Sequence, residues 1–124
     1  MDSVINSKTK IAISYPDKLW EMPFKTAKIK ITKASTAYPA GTILVENPAG
    51  TFAKAVATLE GTCYIVANDV EANATEANVL IDANAYLEAL NKVNSTTFTM
   101  EKVLAAKWAG KVLVMDRKEV VVHE

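Results

Sequence analysis

The stretch Gly61–Ala83, GTCYIVANDVEANATEANVLIDA, constrains the fold of this chain more than any other. Two apolar, β-like runs, Cys63–Ala67 and Val79–Ile81, flank a polar segment, Asn68–Glu76, whose Asn, Asp and Ala residues suit a turn. Cys63–Ala67 is apolar at every position, which predicts a strand covered on both faces and the most central one in the fold. Glu76–Ala83 is expected to pair with it across the polar loop.

Upstream, Ala27-Lys28-Ile29-Lys30-Ile31-Thr32 alternates cleanly and reads as a half-buried strand with its lysines on the wet side. Pro39-Ala40-Gly41 is a turn, Thr42–Glu46 a strand rich in β-branched residues, and Asn47-Pro48-Ala49-Gly50 a second turn. Thr51–Leu59 reads as a further strand with Ala53, Ala55 and Ala57 on one face. Downstream, Asn84 can cap a short helix through about Val93, with Tyr86, Leu87, Leu90 and Val93 on one side. Thr99 can cap a second helix, with Glu101 in its first turn, a stripe of Met100, Val103, Leu104 and Trp108, and Gly110 as its stop. Lys111–Met115 and Glu119–Val122 predict a terminal hairpin or two short strands. The expected fold is mostly β with two short helices (α+β), a small mixed β-barrel or β-tulip-like single domain over residues 27–124.

Residues 1–26 differ in character. Large apolar groups (Tyr15, Leu19, Trp20, Met22, Phe24) stand isolated among Ser, Asn, Thr and Lys, and Pro16 and Pro23 forbid a continuous helix. No period of 2 or 3.6 runs through them. Either LWEMPF covers one end of the core, or the segment is an N-terminal arm, extended or partly ordered, that orders on a partner.

A chain of 124 residues, half of them apolar and under a quarter charged, is a single globular domain. Its net charge of zero gives no reason to expect nucleic acid or an anionic membrane as partner, and no apolar run reaches the length of a membrane span. The zero hides a bias, however: residues 1–33 carry seven Lys against three acids, and residues 46–101 carry eight acids against two Lys. MDSVINSKTK has no signal-peptide core, so the chain is expected to be made in a host cytoplasm. Cys63 is the single cysteine, inside an apolar run, which excludes an internal disulfide. The sole histidine, His123, lies beside the chain end, a poor place for a catalytic base. Zinc fails on ligand count, and Asp69, Glu71 and Glu76 lack the spacing of a calcium loop. Four glycines in all make no phosphate loop. No catalytic residue, metal site or cofactor is expected, and the chain does not read as an enzyme.

The ordered set PAGTIL (Pro39–Leu44), then Phe52-Ala53-Lys54-Ala55, then LEGTCYIVANDVEANATEANVLIDANAYLEAL (Leu59–Leu90) resembles the lambda-type head decoration proteins of tailed phages. The likeness covers about residues 37–93. It departs where Asp82-Ala83 stands in place of a usual Gly, and in a strand before Asn68 that is poorer in Gly. The resemblance implies a virion structural protein on the capsid exterior, a homotrimer at three-fold lattice positions that clamps neighbouring subunits of the major capsid protein. It further implies an N-terminal docking arm, here residues 1–26, in which Leu19, Trp20, Met22 and Phe24 are the candidate contacts. The alternative from another class is a β-type carbohydrate-binding module of a tail or cell-surface protein, which needs aromatics exposed on one sheet face.

Overall fold

The structure, a computed structural model, describes residues 11–13, 18–116 and 120–122. Expectations for Tyr15, Pro16 and His123 fall outside these residues. The elements run β1 (Ile11–Ile13), β2 (Lys25–Lys30), β3 (Ile43–Glu46), β4 (Phe52–Lys54), β5 (Thr62–Ile65), β6 (Glu76–Tyr86), α1 (Leu87–Asn94), α2 (Met100–Ala105), β7 (Lys107–Trp108), β8 (Lys111–Met115) and β9 (Val120–Val122). The mostly-β domain with two short helices is therefore the observed class.

Its strands form a three-stranded sheet, β2-β6-β8, a four-stranded sheet, β4-β3-β5-β7, and a ribbon of β1 with β9. Among the described residues neither sheet closes, which corrects the barrel expectation. The reason lies in the polar stretch after β5. It does not form a tight hairpin but folds back on residues 31–38, where Tyr38 and Val70 exchange two backbone hydrogen bonds of 2.8 Å and Ala34 donates to Ala74. The expected pairing of the Cys63 and Glu76 runs thus shrinks to a single bridge, Val66 with Val79. β6 is left free to pair antiparallel with β2 over its first half and parallel with β8 over its second.

Alternation decides which side of each sheet is dry. Ile43, Cys63 and Ile65 enter a core with Leu80, Leu90 and Phe98. Their sequence neighbours Leu44 and Val66 enter a second core with Ile31, Tyr38, Val70 and Val79. Consecutive residues feed opposite cores, as a pleated strand covered on both faces requires.

Three expected elements change. The run Thr51–Leu59 keeps only three strand residues: Ala53 and Ala57 are exposed while Ala55 is buried. Alternate alanines bury too little surface to hold a long strand. Asn84 lies inside β6 rather than capping α1, because both sides of that strand are paired as far as Tyr86. Helix α1 starts at Leu87 with no side-chain cap and ends at Ser95 in the left-handed region. Helix α2 starts as expected, with Thr99 Oγ1 accepting from the Lys102 backbone at 3.3 Å.

It stops at Ala105, however, well before Gly110, and Leu104 is 68% exposed rather than on the apolar stripe. Trp108 sits on β7, and its Nε1 donates to the Val103 carbonyl at 3.0 Å, satisfying an end group of the helix. Gly110, at φ +63°, makes the turn between β7 and β8; a Cβ there would lie 2.3 Å from the Ile81 carbonyl oxygen. Of the two expectations for the C-terminal residues, two short strands are what form: β9 pairs with β1 and makes no hairpin with β8.

Candidate partner-contact surface

Residues 19–21 lie alongside the end of β6. Leu19 accepts from the Tyr86 backbone at 2.9 Å, Glu21 donates to Asn84 at 2.8 Å, and Trp20 bridges Ala85 in antiparallel register. The Tyr86 hydroxyl donates to the Glu21 carboxylate, a side-chain bond that fastens the same segment. Leu19 packs over the turn of the PAGTIL motif, its methyls 3.1 Å from where a Gly41 Cβ would stand. That turn is held in place from the far side of the chain. Buried Asn94, at the end of α1, accepts from the Ile43 amide at 2.9 Å and donates to the Gly41 carbonyl at 3.0 Å and to the Leu90 carbonyl at 2.7 Å. An amide fully paired in this way contributes specificity at little net cost.

The four candidate contacts therefore sit together but do different things. Leu19, Trp20 and Phe24 are half-buried against the core, with Trp20 and Phe24 in an edge-on ring pair whose centroids are 5.6 Å apart. Met22, between them, is 73% exposed. Residues 18–24 lead directly into β2 at Lys25, so this part of the segment is seated on the domain. Glu21, Tyr86 and Asn94, which hold the surface in place, carry no signal in the sequence: each owes its role to a partner 50 or more positions away.

Groups that could do chemistry are dispersed. Cys63 is fully buried, its thiol pushed up to about 11 by desolvation, and its Sγ lies 3.8 Å from the Gly61 carbonyl. A thiol in that setting holds its proton and is a poor nucleophile. Burial also raises the Tyr64 hydroxyl, which donates to Glu46 at 2.8 Å, and the neighbouring carboxylate adds to the shift. Asp69, Glu71 and Glu76 line a cavity of about 420 Å³ with Lys28, Asn68 and Asn78. Two of the three are engaged with other groups: Asp69 accepts from the Ala40 amide at 2.8 Å, and Glu76 lies 4.0 Å from Lys28. Among the described residues no group of three or more His, Cys, Asp or Glu is placed to hold a metal ion.

Lys28 beside Glu76 places one residue of the basic stretch next to one of the acidic stretch. Among the described residues no helix is long and apolar enough to cross a membrane. No family model, no curated protein and no solved structure matches this chain.

Proposed function

We propose that this protein is a virion structural component that binds and stabilises the outer surface of a phage capsid, with copies grouped in threes on the lattice. The observation that carries the reading is Met22. It is a large apolar side chain, 73% exposed, on a segment whose neighbours Leu19, Trp20 and Phe24 are keyed into the core. A side chain on a segment already packed against its own domain docks without ordering that backbone, and buried apolar contacts contribute to protein–protein association. The family likeness in Pro39–Leu44 and Leu59–Leu90 supplies the identity of the partner, the major capsid protein. A protein that binds the expanded lattice but not its precursor stabilises the expanded form by mass action, site by site.

The carbohydrate-binding alternative is less well supported. Of the eight described aromatic residues, Trp20, Phe24, Phe52, Tyr64 and Trp108 are half-buried and Tyr38, Tyr86 and Phe98 are buried. None stands out from a sheet as a sugar platform must.

The test is co-sedimentation with shells of the major capsid protein encoded in the same genome, expanded and unexpanded. The wild-type chain is expected to pellet with expanded shells only, and Met22→Glu to bind about tenfold more weakly while remaining folded. Absence of binding to either shell refutes the reading.

A further inference from the structure

We infer that β1 and β9 form a clasp: the C-terminal strand holds the N-terminal end of the chain to the domain, and the pair opens and recloses as a unit while the rest of the fold stays intact. The inference does not rest on the capsid reading. It comes from where the two strands meet and from what pairs with them. β1 pairs antiparallel with β9 from Ile11↔Val122 to Ile13↔Val120, and among the described residues neither strand pairs with any other.

The end of β6 explains the meeting. Leu19 accepts from the Tyr86 backbone on one side of that strand, and Met115 is paired with Tyr86 on the other. Past Tyr86 the chain leaves the sheet as α1. Trp20 bridges β6 antiparallel and β8 runs parallel to it, so the chain before Leu19 and the chain after Met115 both lie beyond the end of β6, with no central strand between them. Ile11-Ala12-Ile13 and Val120-Val121-Val122, rich in the β-branched residues that favour strands, then take each other as partners.

A two-stranded ribbon of three residues a side is marginally stable in water. The two sheets have three and four strands and supply both cores. Residues 19–24 are also held more firmly than β1, by backbone hydrogen bonds to β6 and by side chains packed on the core. Opening the ribbon breaks one short ladder and leaves those of the sheets in place, which makes it a local event of low free energy. Four positions separate Ile13 from Lys18 and three separate Asp116 from Val120, so the parted strands stay near one another and reclose. In the open state both strands have unpaired edges, the condition under which a terminal segment can add to another chain.

Hydrogen exchange of the full chain, read at single amides by NMR, tests this. The ladder amides of β1 and β9 are expected to be protected about 10- to 100-fold, and those of β5 and β6 roughly 10,000-fold or more. Val120→Pro together with Val121→Pro removes a ladder N–H whichever of these consecutive pairs is the hydrogen-bonded one. It should bring Ile11–Ile13 to the exchange rate of an unstructured peptide while β5 and β6 keep their protection. The reciprocal change, Ile11→Pro with Ala12→Pro, should free Val120–Val122 in the same way. Four results overturn the inference: core-like protection in the wild-type ribbon, no protection there at all, a β1 unmoved by the prolines in β9, or a loss of protection that spreads into β5 and β6.

Discussion

Two segments flank the second half of β6, and they are held there by different means. On one side residues 19–24 add to two backbone hydrogen bonds a set of large side chains: Leu19 over Gly41, Trp20 against Phe24 and the core, and the Tyr86 hydroxyl on Glu21. On the other side β8 is fastened by backbone, in unbroken parallel register from Asp82↔Lys111 to Tyr86↔Met115, after a turn at Gly110 too tight for any Cβ. The first flank should be sensitive to what is removed from it, the second to what is added. Each also presents one exposed apolar residue, Met22 or Leu113.

The largest expected effect lies on the backbone-held flank. Gly110→Ala places a methyl 2.3 Å from the Ile81 carbonyl oxygen at a φ of +63°, and should cost about 3–4 kcal/mol in urea unfolding. On the side-chain-held flank, Trp20→Ala removes a half-buried indole and should cost about 2–3 kcal/mol. If Gly110→Ala proves mild and Trp20→Ala severe, the contrast between the flanks fails.

Cys63 lies in the core shared by both flanks and supplies a reference that should weaken them together. Its thiol pKa is raised from 9.0 to about 11, so the neutral form is favoured by folding. That contribution is complete below pH 9 and is lost as pH climbs towards 11, a fall of about 2–3 kcal/mol that Cys63→Ala should abolish. Tyr86→Phe leaves the ring in place but deletes its hydrogen bond to Glu21, and should cost about 1 kcal/mol. Smallest of all, Met22→Glu should change stability by less than about 0.5 kcal/mol, because its side chain is in water. Its effect belongs to binding alone.

Much of this arrangement could be read from the chain. Ala27–Ile31 alternates because β2 is an edge strand wet on one face, and Thr99 announces its helix because capping is local chemistry. Lys111–Met115 reads as a strand for the same local reason. What escaped the sequence depends on partners far along it. Asn84 has the composition of a helix cap, yet the Glu21 amide and β8 hold it in a strand. Gly110 looks like a helix stop, but its glycine is demanded by the approach of β6. The alanine-rich run after Gly50 has a strand's alternation without the side-chain bulk to sustain one. In the candidate surface, Leu19, Trp20, Met22 and Phe24 stand out by size, but which of them faces outward is settled by pairing with residues 84–86.

The capsid reading is tested most directly by electron cryomicroscopy of expanded shells, assembled from the major capsid protein of the same genome and incubated with this protein. The account predicts density of this fold in groups of three on the outer surface, with Met22 against the shell. Bare shells under saturating protein, or copies attached with Met22 facing solvent, would contradict it.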